Sequence, residues 1–349
     1  MAGKSLTERL LAATSSKYAA TVNKSVIFED DEHTEIAFDH PIFNVMFSGS
    51  MKGGFHAGNT SWAGPSKHFK SLFSLTQART FIKSRPDAKI VLFDSEFGMP
   101  IKYFESVGID PEDVIHVPVT NIEELKHEAV NLIEELDRGD DVIFVIDSVG
   151  MLASLKELDD ARDGKTTADM TRAKQLKSFF RIVTPMLKLR NIGLIVVNHT
   201  YQTLEIYSQT VQGGGTGGIY AADNIFFIGR SKDTDSKRNL NGYDFNVKVA
   251  KSRFVREESK FTVKVLFEKG LPKYTGMFEL LKDMGLLETV GKKYVFTDPG
   301  TGEVHDGHDR KWYDNHDEFW EMIVENEAVD NLIRSRFQLG ENKLINDDD

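Results

Sequence analysis

Seven short apolar runs separated by helical segments govern what this chain can fold into: Asn59–Ala63, Ile90–Phe93, Val142–Ile146, Gly193–Val197, Asn224–Ile228, Phe245–Val249 and Phe261–Phe267. Helical spacing fills Lys70–Lys83, Pro100–Val107, Ile122–Asp137 and Ala168–Arg190 between them. Short apolar runs separated by helical segments are the pattern of alternating β and α units. The pattern predicts an α/β fold, a largely parallel twisted sheet with helices on both faces. Residues 36–268 read as that core and residues 1–35 as an amino-terminal segment: a helix near Leu6–Ala20, a strand-like Ser25–Phe28 and an acidic turn at Glu29–Glu32. Residues 269–349 read as a small α-rich domain with a Lys292–Phe296 strand, a closing helix near Asp317–Phe337 and an acidic end.

The 349 residues contain no cysteine, which excludes a disulfide framework, Cys-ligated zinc, an iron–sulfur cluster and a thiol nucleophile. Glu8 and Arg9 interrupt the apolar run of the amino terminus, and no cleavage-site pattern or 18-residue apolar stretch follows. The expectation is a soluble, cytoplasmic protein with no membrane partner. A net charge of −11 argues against a nucleic-acid partner until its distribution is considered. Residues 301–349 carry 14 Asp/Glu against five Lys/Arg, whereas Met151–Asn191 is net +4 and Gly229–Lys264 net +5. Those basic stretches suit either phosphate contact or solvated helix and strand faces.

The most informative local sequence is WAGPSKHFKSLF, which follows one apolar run and opens a helix. It fits the phosphate-binding template G-x-x-x-x-G-K-[S/T] with Gly64, Lys70 and Ser71, except that Phe69 stands at the second glycine. Backbone N–H groups of such a loop cradle phosphates, the lysine neutralises β/γ charge and the hydroxyl ligates Mg²⁺. A second run, DVIFVIDS, ends in Asp147, where a carboxylate orients the Mg²⁺ water shell. Between them LFDSEFG places Glu96 at a strand end, as a water-activating base requires, although a solvated turn carboxylate reads the same way. Two stretches carry little regular signal inside the core: Gly150–Thr167, and Thr200–Gly218 with its VQGGGTGG.

These motifs together resemble the RecA-type strand-exchange recombinases, and within them the UvsX recombinases of T-even-like bacteriophages. The likeness runs through TERLLAATSSK, GPSKHFKS, LFDSEFG, FVIDSVG, MTRAKQLKSFFRIVTP, NHTYQT, QGGGTGG and KVAKSRFVREESKF. It extends to the phenylalanine in the P-loop. The resemblance implies a RecA-like P-loop ATPase core with a short oligomerisation helix–strand before it and a small α-rich domain after it. ATP and Mg²⁺ would be bound by Gly64, Pro65, Ser66, Lys67, His68, Phe69, Lys70, Ser71 and Leu72, with Tyr103 stacking on adenine. Ser71 and Asp147 would serve the metal and Glu96 would activate water. His199 stands where relatives place a γ-phosphate-sensing glutamine, and its charge depends on pH. Lys251 and Arg253 match a Lys-x-Lys pair that reaches the ATP of the neighbouring protomer, with arginine in place of the second lysine.

The resemblance also implies two DNA loops, Met151–Thr167 and Thr200–Gly218. The resemblance implies DNA contacts from Arg172, Lys177, Gln212, Gly213, Gly214 and Gly215, and protomer docking through Ile27 and Phe28. The implied activity is DNA-stimulated ATP hydrolysis by a helical filament on single-stranded DNA, which pairs with homologous double-stranded DNA. A phage recombination mediator and a single-stranded-DNA-binding protein are the implied partners. Two alternatives stay open on the sequence: a hexameric helicase or ring ATPase with the same core, and a non-hydrolysing DNA-binding scaffold suggested by Phe69.

Overall fold

A computed structural model of the chain describes residues 5–27, 35–165, 171–202, 210–234 and 239–340. Its nine-stranded sheet comprises β1 (Asn59–Gly64), β2 (Lys89–Asp94), β3 (Val114–Pro118), β4 (Val142–Asp147), β5 (Gly193–Gln202), β6 (Thr210–Gln212), β7 (Asn224–Thr234), β8 (Leu240–Lys251) and β9 (Lys260–Leu266). The order is β3-β2-β4-β5-β1-β7-β8-β9, with β6 pairing off β5. β3, β2, β4, β5, β1 and β7 run parallel, and β8 and β9 close the sheet antiparallel.

Strand periodicity divides the core between the two faces. On β2, Ile90 and Leu92 join one cluster while Val91 and Phe93 join the other; on β4, Ile143 and Val145 alternate with Phe144 and Ile146 in the same way. The first face is covered by α2 (Pro41–Ser48) and α3 (Lys70–Ser84), where Phe43 and Phe47 pack on Trp62 and Trp62 stacks on Phe226 at 4.5 Å. The second is covered by α5 (Ile122–Glu134) and α7 (Thr171–Arg190), through Leu125, Ala129, Ile133, Phe179, Val183 and Leu187. Burial on both faces explains why these strands read as continuous apolar runs.

The remaining helices are α1 (Leu6–Ala13), α4 (Ile101–Ser106), α6 (Leu155–Arg162), α8 (Thr216–Ala221), α9 (Met277–Asp283), α10 (Arg310–Tyr313), α11 (Asp317–Glu325) and α12 (Glu327–Phe337), with a β10 (Leu287–Val290) and β11 (Lys293–Phe296) hairpin. Several sequence expectations change here. β3 was not expected, because VIHVP is a short, half-exposed edge strand. The closing helix is two helices, since the Asn326 side chain accepts from Val329 N–H and starts a new one. The irregular Gly150–Thr167 stretch contains α6, capped by Ser154 and lacking a buried residue, so no apolar period marks it. The amino-terminal helix ends at Ala13, and Ser25–Ile27 forms no strand: a 3₁₀ turn at Val22–Lys24 leads into a turn whose Val26 carbonyl accepts from Arg138. A strand needs a neighbour to satisfy its N–H and C=O groups, and none pairs with this segment within the described chain. Phe28 and Glu29–Glu32 lie outside the described residues.

The carboxyl-terminal unit shares the first hydrophobic cluster through Met277, Phe278, Leu281, Trp320, Ile323, Ile333 and Phe337. Buried Asp330 on α12 accepts from Met51 N–H at 2.7 Å, Ser50 Oγ at 2.9 Å and Arg334 Nε at 2.8 Å. Asp330→Ala therefore leaves buried donors unmatched and should lower unfolding stability by about 2–4 kcal/mol in urea denaturation. Leu332→Ala, at an exposed position of the same helix, should change it by less than about 0.5 kcal/mol.

Candidate functional site

Four adjacent parallel strands, β2, β4, β5 and β1, deliver Asp94, Asp147, His199 and Gly64 to their carboxyl ends. The register pairs Asp94 with Asp147 and Gly64 with His199, so the sheet itself brings distant sequence positions level. This end of an open α/β sheet is where ligands bind, because the loops there leave a crevice bounded by helix amino termini. The crevice, about 260 Å³, is lined by Ser66 to Ser71, Glu96, Met99, Pro100, Tyr103, Asp147 and His199.

The loop from Gly64 to Ser71 connects β1 to α3. Phe69 caps α3 in the left-handed region at φ 51°, and Lys67 also has a positive φ of 63°. A non-glycine residue there costs about 1–2 kcal/mol. Phe69 offsets this by packing its ring 5.2 Å from Phe245 and 6.0 Å from Tyr243 on β8. Arg230 of β7 stacks over Tyr243 and donates to Lys67 O at 2.7 Å, tying the loop to the antiparallel strands.

Lys70 is buried and donates to Pro65 O at 3.0 Å. Its Nζ also lies 3.5 Å from His199 Nδ1, while His199 Nε2 lies 3.3 Å from Glu96 Oε1. An ammonium can only donate and a carboxylate can only accept, so Nδ1 accepts and Nε2 carries the proton. Glu96, His199 and Lys70 form a continuous chain. Gly150 makes room for it: a Cβ there would lie 2.3 Å from His199 Cδ2.

Glu96 is pulled down to about 2, first by the hydrogen bond from His199, against desolvation, with help from Ser148 and Lys70. Ser148 Oγ donates to Glu96 Oε1 at 2.7 Å, and Ser95 Oγ donates to Ser148 O at 2.7 Å. Asp94 Oδ1 accepts from the N–H groups of Glu96 at 2.9 Å and Phe97 at 2.8 Å, turning the chain so that Glu96 faces the crevice. Lys70 is lowered by desolvation, against the pull of Glu96 and Asp147. Desolvation also raises Tyr103 to about 12.

Asp147 is pushed up to about 6 by burial and by its like-charged neighbours Glu96 and Asp94, against the donated Ser71 hydrogen bond and Lys70. Ser71 Oγ donates to Asp147 Oδ2 at 2.5 Å, and the other oxygen, Oδ1, is buried with no partner. An unsatisfied carboxylate oxygen beside a hydroxyl is a donor set that suits a hard cation such as Mg²⁺.

Other expected site residues lie elsewhere. Lys251 Nζ donates to Ile219 O at 2.8 Å and Arg253 Nε to Asp223 Oδ1 at 2.5 Å, near the amino end of β1. Asp223 N–H donates to Asn59 O, so Arg253 sits beside the first residue of β1; five residue steps at about 3.3 Å put this roughly 17 Å from Gly64. Arg172 is turned inward and donates to the carbonyls of Val149, Gly150 and Leu152. Gln212 is buried and accepts from Ser61 Oγ at 2.9 Å. Lys177 is exposed, and Gly213, Gly214 and Gly215 lead into α8, the last two with positive φ. Sequence reasoning missed Asp94, Ser95, Ser148 and Arg230. The signal for the first three was present as two Asp-Ser doublets, each ending an apolar run.

No family model matches the chain. It is 40% identical over 341 residues, 96% of its length and 86% of the relative's, to the recombination and repair protein of Enterobacteria phage T4. It is 23% identical over 254 residues, 70% of each chain, to protein RecA of Syntrophus aciditrophicus strain SB. The crystal structure of the RadB recombinase aligns with a TM-score of 0.46 at 19% identity, over 63% of this chain and 92% of that one.

A buried carboxyl held at about 6 is less stable ionised than its unfolded counterpart near 3.8, so its contribution to stability falls as pH rises from about 4 through 6. Asp147→Asn keeps an acceptor for Ser71 and removes that penalty. The nucleotide-free variant should melt higher at pH 7, by an equivalent of about 1–3 kcal/mol, with the gain narrowing as pH falls toward 4.

Proposed function

Because the chain belongs to the family of the phage T4 recombination and repair protein, within the RecA-type recombinases, we propose that it performs strand exchange as a DNA-stimulated ATPase assembled in a filament on single-stranded DNA. The observation that carries the ATPase reading is the convergence of Lys70, Ser71, Glu96, Asp147 and His199 on one crevice at four strand ends. In this reading Lys70 exchanges Pro65 O for phosphate oxygens and Tyr103 flanks the base. Ser71 and Asp147 would hold Mg²⁺, which neutralises charge developing on the transferring phosphoryl group.

Glu96 then has to accept a proton or orient a water. With His199 and Lys70 upon it, a carboxylate near 2 is a poor base. A γ-phosphate is a stronger acceptor for both cationic or N–H donors than Glu96 is. ATP that draws them away raises the basicity of Glu96, so the substrate arms its own hydrolysis. Product release restores the chain of hydrogen bonds.

Coupling to DNA has a short physical route. Gly213 N–H donates to His199 O at 2.8 Å, and Asn198 Nδ2 donates to Gly213 O at 2.9 Å. The γ-phosphate side of His199 and the start of the glycine stretch are therefore held by adjacent bonds. Exposed Lys177 and backbone N–H groups of Gly214 and Gly215 suit phosphate contacts that carry no sequence preference.

The distance of Lys251 and Arg253 from their own crevice supports their action on a neighbour. Leu6 and Leu10 on α1 are exposed one helical turn apart, and α1 has no buried residue, which supports a docking face for the next subunit. Repetition of that contact is heterologous and builds a helix. A mediator and a single-stranded-DNA-binding protein are the partners this reading proposes.

The test is ATP turnover with and without single-stranded DNA, combined with negative-stain imaging. Wild type should form filaments and hydrolyse faster with DNA. Glu96→Gln should keep nucleotide binding and lose turnover by about 100-fold or more. Lys251→Ala/Arg253→Ala should lose DNA-stimulated turnover while each chain stays folded. Closed rings, or turnover indifferent to DNA and to those two cations, would overturn the reading.

A further inference from the structure

Outside the crevice, buried Asp223, which immediately precedes β7, is met by two cations. Its Oδ2 accepts from Asn59 N–H at 2.9 Å, and its Oδ1 accepts from Lys188 Nζ at 2.8 Å and Arg253 Nε at 2.5 Å. Burial alone would raise its pKa, but the donated bonds from Lys188, Asn59 and Arg253 outweigh burial and lower it. Two bonds, from Asn59 and Lys188, already fasten the amino ends of β1 and β7 to α7. The third is of a different kind, because its donor is an arginine whose side chain is 61% exposed.

A carboxylate on Nε fixes the plane of a guanidinium and leaves its far edge, the two terminal nitrogens, for another oxyanion. We propose that Asp223 is the positioning residue for Arg253, gripping it by Nε so that its terminal nitrogens face the ATP of the neighbouring subunit. The proposal rests on the reading above that Arg253 acts across the subunit boundary. An exposed arginine would otherwise sample many rotamers, and ordering it only at the moment of reaction would oppose catalysis entropically.

The same anchor links the cation to DNA. Lys251 Nζ rests on the Ile219 carbonyl, and Arg253 rests on Asp223, so both cations are seated on residues 219–223. That segment is the end of α8 and the step beyond it, and α8 begins directly after Gly215. A shift of the glycine stretch on binding DNA would carry both seats with it.

The experiment uses the full-length protein and compares Asp223→Asn, Arg253→Lys and Arg253→Ala in DNA-stimulated ATP turnover. Asp223→Asn keeps an acceptor for Asn59 and loses the charge, and Arg253→Lys keeps the charge and loses Nε. Both should lower kcat about 10-fold or more while KM for ATP changes less than about 2-fold. Mixing Asp223→Asn with Glu96→Gln should raise turnover above that of either protein alone, because Glu96→Gln subunits supply a correctly held Arg253 to intact sites next door. A role confined to Asp223's own fold would produce no such recovery, and that result would overturn the proposal. So would wild-type kcat in Asp223→Asn, or in Arg253→Lys if Asp223→Asn fails to fold, provided that Arg253→Ala is impaired. Full activity in Arg253→Ala would instead overturn the underlying reading of a site shared between subunits.

Discussion

Like charges are crowded at the carboxyl ends of β2 and β4, where Asp94, Glu96 and Asp147 converge beside the buried Lys70. Their mutual repulsion and desolvation push Asp147 up to about 6, while His199 and Ser148 hold Glu96 down at about 2. Two carboxylates a few residues from the same strand ends thus have opposite characters: burial dominates at Asp147, and the donors His199 and Ser148 dominate at Glu96. The fold keeps this arrangement by burying both sheet faces, which leaves the strand ends no freedom to separate. A bound metal and polyphosphate would relieve the strain electrostatically, since the first satisfies Asp147 and the second draws Lys70 and His199 away from Glu96.

Rigid strands also explain how separate parts of the surface can respond together. β5 carries His199 at the end of its parallel pairing with β1 and continues to Gln202 in its pairing with β6, and β6 leads to the glycines and α8. α8 in turn supplies the carbonyl that holds Lys251, and Asp223 follows it. The crevice at one end of β1 and the cations at the other are therefore connected through a single short stretch of chain. These two features lie at opposite ends of β1. In the proposed chemistry, head-to-tail assembly is what would bring one subunit's cations to its neighbour's crevice.

The aromatic at the P-loop's second glycine position shows how context settles a local mismatch. Phe69 adopts a left-handed conformation that disfavours it by itself. Its ring then packs against Phe245 and Tyr243, residues more than 170 positions away in the chain. Motif matching registers the missing glycine and cannot register the distant partner. The same limit applies to Gln212 and Arg172, which the family resemblance assigned to a DNA surface. Their hydrogen-bond partners, Ser61 and the carbonyls after β4, turn them inward in this structure.

Apolar period, loop chemistry and the Asp and Glu residues at strand ends were legible without coordinates, because they follow from nearest-neighbour geometry. Those signals determined the α/β class, the loop Gly64–Ser71 between β1 and α3 and the carboxylates Glu96 and Asp147. α6 and the half-exposed edge strand β3 escaped for want of an apolar face; the buried helix α2 was not expected either, nor was the failure of Ser25–Ile27 to pair. Strand order could not be read either, since parallel neighbours are joined by long crossovers whose destinations leave no local trace. Only the tertiary structure decided that His199 bridges Lys70 and Glu96, that Ser148 holds Glu96, and that Asp223 grips Arg253. Each is a contact between strand ends far apart in the chain, fixed by sheet register and by what burial leaves unsatisfied.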